Sequence, residues 1–470
     1  MANVLNSTTG APEPDGSTQE AEQGGGQAPL LRTPREGLPP VVADGAALRA
    51  TVAAFAQGTG PVAVDAERAS GYRYGQRAYL VQLRREGAGS ALIDPVACPD
   101  LTELNAALDG AEAVLHAAHQ DLPCLTEVNL RPAELFDTEL AGRLLGYQKV
   151  GLGSMVERVL GLRLAKEHSA VDWSMRPLPE DWLTYAALDV EVLVDLRDAL
   201  EAELREAGKL EWAREEFAAV LAAPPKEPRP DPWRRTSGIH RVRNQRALGV
   251  VRELWLERDR IAQERDLSPG RVLPDAAIVE AATSMPRSAQ ELGALKPFSV
   301  RLARRYVPQW IKAVNRARDM RPEELPQPSA PGDGPPPTNR WHDRDPEAAR
   351  RLEAARATVS RIAEQVVMPT ENLLQPDAVR RLAWTPPERS DAESVAGHLR
   401  GNGAREWQIG LTAEVIGVGA VAAATMMAGA LLTAGRPRRP RRDVPAPGRV
   451  RGSGVLRRSG PIRSSRRRGG

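Results

Sequence analysis

Two proline-rich stretches, Ala223–Pro232 (APPKEPRPDP) and Arg321–Thr338 (RPEELPQPSAPGDGPPPT), constrain this 470-residue chain more than any other feature in it. Proline fixes φ and removes a backbone donor, so neither stretch can form a packed helix or a central strand, and both read as extended spacers. The sequence therefore divides into a unit over 41–222, a linker over 223–232, a unit over 233–320, a linker over 321–340 and a unit over 341–434. The flanks differ in kind. Residues 1–40 are rich in Gly, Pro, Ser, Thr, Gln and Glu, without a basic start leading into an apolar run, and read as a disordered tail rather than a signal peptide. From Arg436 to Gly470 there are 13 arginines and one aspartate, so 435–470 read as an Arg-rich disordered tail able to hold RNA or anionic lipid without specificity. That local charge of +12 leaves the other 435 residues at −9 within a net +3. Overall charge thus says little about partners.

Periodicity gives each unit its class. In the first, Pro61–Asp65 (PVAVD), Ala78–Leu83 (AYLVQL) and Ala91–Asp94 (ALID) are short β-rich runs separated by turn residues. Their connections are too short for a helical crossover, which predicts antiparallel pairing. A helical run around Leu101–Leu108, an apolar strand at Ala113–His116 and a helical run from Gln120 follow. The expectation is an α/β unit, a mixed sheet flanked by helices. From Thr138 to Ala207 apolar positions recur at three and four, so the remainder is mostly helical.

The second and third units share a repeat. Arg260-Ile261-Ala262 followed by Val272-Leu273-Pro274-Asp275 returns as Arg361-Ile362-Ala363 followed by Leu373-Leu374-Gln375-Pro376-Asp377. In each copy a helix leads through a proline turn into a second helix, which the aspartate is expected to cap. Two related all-α domains thus follow the α/β unit.

Chemistry concentrates in the first unit. Asp65-Ala66-Glu67 closes its first strand, and residues two apart on a strand share a face, so the two carboxylates can project together. Asp121 follows the fourth strand in HAAHQDL. Tyr185 and Asp189 (YAALD) lie four apart in a helical segment and stack on one side. Each of these has an ordinary structural reading when taken alone, as a strand end, a first-turn acid or a helical pair. Gathered together, four carboxylates cannot all stay ionised without cations, and two divalent metals are the usual solution.

The order of these residues and their surroundings (Asp65-x-Glu67, YLVQL, HAAHQDL, FDTELAGRLLG, VGLGSMVERVLG, KEHSAVDW, RPL and YAALDV) resembles the ribonuclease D family, in the tyrosine-bearing DEDD exonuclease superfamily. The resemblance implies a ribonuclease H-like exonuclease domain. The helical units resemble the helicase-and-RNase-D C-terminal (HRDC) domain, the second being a divergent copy with PTENLLQPD and GAREWQIGLTAEV. Carried over, Asp65, Glu67, Asp121 and Asp189 are implied as ligands of two Mg²⁺ or Mn²⁺ ions, and Tyr185 as the residue orienting the attacking water. The implied reaction releases 5′-nucleotides from RNA 3′ ends, with transfer-RNA precursors as substrates, no small-molecule cofactor and no membrane. Ala66 departs from the threonine common in the family, but its side chain is expected to point away from the metals. The same acids would serve a 3′–5′ exonuclease on DNA. A non-catalytic RNA-binding protein is the alternative of another class, and the intact set of acids argues against it.

The remaining signals are weaker. Lys166, Arg176 and the cluster Arg234, Arg235, Arg241, Arg243 and Arg246 are candidates to follow an RNA backbone. His116 and His119 lack further ligands at zinc spacing. Gly151-Leu-Gly153 lacks the third glycine of a dinucleotide loop, since Val156 stands in its place. Val415–Gly435 is 21 residues without a charge. It is mostly Ala, Gly and Thr, which transfer weakly into lipid, so it reads as a terminal helix rather than a membrane anchor. Two cysteines, Cys98 and Cys124, cannot build a disulfide framework, which makes a reducing cytoplasm the expected compartment.

Overall fold

The three β-rich runs become the centre of a six-stranded mixed sheet. The computed structural model describes residues 28–165, 170–225, 227–328, 334–389 and 391–417. The first unit contains β1 (Leu30–Leu31), β2 (Val41–Val42), α1 (Gly45–Gln57), β3 (Thr59–Arg68), β4 (Ala78–Glu86) and β5 (Gly89–Ile93). It continues with α2 (Thr102–Ala107), β6 (Glu112–Leu115), α3 (Leu122–Glu127), β7 (Glu134–Asp137), α4 (Thr138–Leu144) and α5 (Leu152–Leu160). β8 (Arg163–Leu164), α6 (Glu180–Glu191), α7 (Leu193–Glu206) and α8 (Leu210–Leu221) complete it. The sheet order is β2-β5-β4-β3-β6-β7. β3, β4 and β5 are antiparallel, while β2, β6 and β7 join in parallel.

Alternation along these strands separates two cores. Val62, Val64 and Ala66 of β3, with Val81 and Leu83 of β4, enter the large core. On the other face Leu80 and Leu92 pack with Trp173 and with Ala186 and Ala187 of α6. Asp65 and Glu67 alternate with the large-core residues, so they rise on the face that α6 covers.

Residues 28–40 are ordered, contrary to the expectation of a tail through residue 40. Leu30 and Leu31 pair in parallel with Arg163 and Leu164. Arg163 donates to the carbonyls of Ala28 and Pro29, and Arg35 pairs with Glu191 and Asp195. These partners lie more than a hundred residues away, and composition cannot register such contacts. Residues 1–27, Lys166, and everything from residue 418, including most of Val415–Gly435 and the Arg-rich tail, lie outside the described residues. Among the described residues no helix is long and apolar enough to cross a membrane.

The repeat is structural. The second unit holds α9 (Gln245–Arg265), α10 (Pro269–Val272), α11 (Asp275–Ser284), α12 (Ala289–Ala294), α13 (Arg301–Arg305) and α14 (Val307–Asp319). The third holds α15 (Trp341–Arg344), α16 (Pro346–Gln365), α17 (Thr370–Leu373), α18 (Pro376–Trp384), α19 (Ala392–Gly401) and α20 (406–417). α9, α10 and α11 correspond to α16, α17 and α18. The aspartates, however, do not cap. Asp275 is already inside α11, where its carboxylate accepts from the Arg258 guanidinium at 2.6 Å and from the Ser237 N–H at 2.7 Å. Asp377 bonds Arg380 and Arg381. Proline immediately before the helix, or at its first position, supplies the fixed φ that starts each one.

The second spacer is shorter than its prolines suggest. Glu324 and Gln327 offer their carbonyls to Arg252 and Arg234, holding 321–328 to the second unit. Pro335 and Pro336 offer theirs to Arg380 and Trp341 of the third. The third unit shares the large core of the first. Trp212 of α8 stacks on Trp407 with ring centroids 5.0 Å apart, and Trp407 Nε1 donates to Glu216. Lys209 Nζ donates to the carbonyls of Leu144 and Val367 at 2.6 and 3.0 Å, placing a cation between chain segments that leave helix C-termini.

Candidate active site

Local structure explains why the acids stand where they do. A register irregularity separates the Glu67–Leu80 pair from the last pair, Arg68–Ala78, leaving Tyr79 as an extra residue on β4. At this end of the ladder Arg68, the last residue of β3, reaches Asp121, Nη2 to Oδ1, at 3.3 Å. Asp121 itself is delivered by a sharp turn. Ala117 adopts a left-handed conformation (φ 58), and a single 3₁₀ turn, Ala118–Gln120, runs into α3. Buried Asp137 secures that turn by accepting the N–H groups of Ala117 and Ala118 at 3.1 and 2.9 Å, and it also caps α4 through the Leu140 N–H. The FDTEL segment therefore holds HAAHQDL in place. Asp189 projects from α6, and the Tyr185 hydroxyl one turn earlier donates to it.

Carboxylate oxygens of Asp65, Glu67 and Asp189 lie within 4.8 Å of one another. Asp121 is not in that closest group. It stands beside it, 6% exposed and paired with Arg68, close enough to raise the proton affinity of Glu67 and to have its own raised by Asp65. Burial pushes the Asp65 carboxyl up to about 6, although the Ala66 N–H and Arg68 oppose it. Burial, then Asp65, pushes Asp121 up to about 8. Glu67 and Asp189 are raised well above the carboxylate range by burial first and by the neighbouring acids second. Tyr185 is raised too, by burial and the acids around it.

Four carboxyls facing one arginine leave an excess of negative charge that burial makes costly. The donor set is all oxygen, which suits hard divalent cations. Asp65, Glu67, Asp189 and Asp121 are therefore fitted to hold such ions, and a bound ion would return each acid to its ionised form. A pH dependence follows. Raised carboxyls make the folded metal-free protein bind more protons than the unfolded chain, so its stability falls as pH rises from about 4 through about 8. Metal removes that loss. The rise in melting temperature on adding Mn²⁺ is expected to be larger at pH 8 than at pH 5.5, and an equal rise at both would refute the linkage.

The basic candidates separate. Arg176 spends all five N–H donors inside the fold: on both oxygens of Asp94 and on the carbonyls of Tyr79, Trp173 and Met175. It has none left for a phosphate, so it joins the 170–176 segment to β4 and the end of β5. Lysine cannot reproduce that fork, and Arg176→Lys is expected to lower the melting temperature without weakening RNA binding by the folded protein. Arg234 is held by Asp231 and the Gln327 carbonyl, and Arg246 by the carbonyls of Ala317, Arg318 and Met320 at the end of α14. Arg235, Arg241 and Arg243 are exposed. His116 is not part of the acidic group: its Nδ1 meets Thr138 Oγ1 at 2.9 Å, and burial lowers its pKa to about 4.

Three contributors escaped the sequence reading. Arg68 had a signal, a basic residue directly after Asp-x-Glu. Gln82, wholly buried opposite Asp65 on β4, had one too, as the single polar residue within AYLVQL. The third is the loop between β3 and β4, which ties the site to the second unit. The Tyr72 carbonyl accepts from the Ser268 N–H, Tyr74 donates its hydroxyl to Asp259 at 3.1 Å, and Arg73 pairs with Asp266 and bonds Ser174. No local pattern marks such contacts.

Comparisons with known proteins agree with this geometry. Residues 40–205 match the family described as 3'-5' exonuclease, 247–314 the HRDC domain, and 334–419 the family described as 3' to 5' exonuclease C-terminal domain. Ribonuclease D of Nitrobacter hamburgensis is 34% identical over 46% of this chain and 56% of its own length. The enzyme of that name from Zymomonas mobilis is 32% identical over 61% of this chain and 75% of its own length. Among solved structures, a protein from Bifidobacterium adolescentis superimposes with a TM-score of 0.76 at 39% identity, covering 84% of this chain and 99% of that one. Escherichia coli RNase D, described as an exoribonuclease involved in structured RNA processing, gives 0.57 at 28% identity over 73% of this chain and 89% of that one. With a clustered acid site on a mixed sheet, two helical units behind it and relatives matched over most of their length, the chain belongs to the ribonuclease D family of 3′–5′ exoribonucleases.

Proposed function

We propose that this chain trims the 3′ ends of structured RNA, transfer-RNA precursors among them, in the cytoplasm, using two Mg²⁺ or Mn²⁺ ions held by Asp65, Glu67, Asp121 and Asp189. The observation that supports this most is the meeting of carboxylates from β3 and α6, with a fourth acid beside them, in a site whose charge only cations can balance. Bound divalent cations supply Lewis acidity, which acidifies a water and offsets charge on the phosphate and the leaving 3′ oxygen. The protein's own residues do the rest. Asp189 and Asp65 would hold such ions from two elements, α6 and β3, that pack on a common core. Tyr185 turns its hydroxyl from Asp189 to the water and orients it, with no need to remove a proton itself. Arg68, paired with Asp121, would release that carboxylate for it to serve as a ligand. Two buried free thiols, Cys98 and Cys124, suit a reducing compartment.

Substrate body and substrate end have separate places in this reading. Exposed Arg235, Arg241 and Arg243, at the entry to α9, hold phosphates of the RNA body. Replacing the three arginines with glutamate in the full chain is expected to weaken binding of a transfer-RNA-sized precursor and flatten its salt dependence, leaving digestion of a short single strand nearly unchanged. Equal loss on both substrates would reject the role of the second unit in holding the body.

A further inference from the structure

We propose that Gln82 is a positioning residue of the metal site, one whose amide finds its partner only when Asp65 is a metal ligand. The inference rests on the reading of Asp65 as a ligand. Gln82 pairs with Asp65 across the antiparallel β3 and β4 ladder. Residues directly opposite share a face, with Cβ atoms about 4.5–5.5 Å apart. The glutamine is wholly buried, at 0% exposure, and neither its Nε2 nor its Oε1 has a hydrogen-bond partner among the described protein atoms.

Its surroundings are otherwise apolar. Leu80 stands two residues before it on β4, Leu92 is its partner on β5, and Ala186 and Ala187 of α6 pack on the same small core. A glutamine in such a place costs stability at both ends of its amide, and a leucine or methionine would avoid the loss. Its polar neighbours along β4 are committed elsewhere, while Trp173 Nε1 of the same small core is likewise buried without a partner. Arg84 is bound to Ser90 and Glu36 and paired with Glu191, and the Tyr79 carbonyl accepts from Arg176. Asp65 remains as the polar group facing it across the ladder.

A carboxylate that ligates a cation keeps lone pairs for a second donor, and a fixed donor there holds the ligand in one rotamer. The Gln82 Nε2–H is the group placed to supply it. Gln82 thus weakens the metal-free fold and sharpens the metal-bound one. The two effects have opposite signs, which separates this role from a structural one.

The experiment compares full-length wild type, Gln82→Met and Gln82→Asn by calorimetric titration with Mn²⁺ and by thermal unfolding in EDTA, with Asp189→Asn as the control. Gln82→Met is expected to unfold in EDTA at the same or a higher temperature and to bind Mn²⁺ about tenfold or more weakly. Gln82→Asn, which keeps an amide but withdraws it by one carbon, is expected to lose Mn²⁺ affinity as well. Mn²⁺ affinities within twofold of wild type in both variants would overturn the proposal. So would a Gln82→Met protein that fails to fold or melts clearly lower in EDTA, because the amide would then have a partner in the metal-free fold. A wild-type protein that binds no Mn²⁺, or binds it no better than Asp189→Asn, would refute the metal-site reading itself; wild-type binding with unchanged Gln82 variants would refute only the role of Gln82.

Discussion

Full-length protein carrying Asp121→Asn is expected to hydrolyse RNA about a thousandfold or more slowly than the parent while still binding it. The substitution keeps the shape of the side chain and removes one negative charge from a cluster whose charge is what would retain the metals. A residue that acts as part of such a unit costs nearly as much as the whole set when lost. Asp121 serves because β6 ends in the left-handed Ala117 and Asp137 secures the turn. Its partner in the metal-free protein is Arg68, and the asparagine loses that pair as well. Tyr185→Phe is expected to separate roles within the site: with the phenol proposed to orient water and not to ligate, hydrolysis should slow about a hundredfold while Mn²⁺ affinity holds. Near-parental turnover by purified Asp121→Asn would reject the assignment of Asp121.

Trp407→Ala has the largest expected effect on stability, about 3–5 kcal/mol, the usual cost of truncating a buried tryptophan. The indole stacks on Trp212 of α8 and donates to Glu216, while Glu215 accepts the N–H groups of Glu406 and Trp407. Because the first and third units share one core, the variant is expected to lower a single cooperative transition that includes the nuclease fold. Two transitions, with that of the nuclease unmoved, would show the third unit to be a separate domain. The shared core also means that a chain ending at Ala222 would expose the apolar side of α8.

Much of the fold was legible because it is written in local periodicity. PVAVD, AYLVQL and ALID became β3, β4 and β5 in antiparallel pairing, and the Arg-Ile-Ala repeat became α9 and α16. The strands Leu30–Leu31, Glu134–Asp137 and Arg163–Leu164 were not legible, being too short or too dependent on distant partners to show a period of two. In the site, Asp65-x-Glu67 and Tyr185-x₃-Asp189 follow from strand and helix spacing alone. The nearness of the two pairs does not, since it depends on α6 crossing β3, β4 and β5. Arg176 illustrates the opposite failure. Its motif marks it as important, but sequence cannot tell a guanidinium that meets phosphate from one whose five donors are spent on Asp94 and three carbonyls.

The most direct test of the central claim is a digest of matched 5′-labelled single strands, RNA and DNA, each with a free or a blocked 3′ end, by the full-length protein and by Asp189→Asn, with Mn²⁺ and with EDTA. The account predicts a ladder shortening from the 3′ end of the free-ended RNA, release of 5′-nucleotides, and no digestion of the blocked RNA, in EDTA, or by Asp189→Asn. Internal cleavage of the blocked RNA, digestion in EDTA, or equal activity of Asp189→Asn would contradict it.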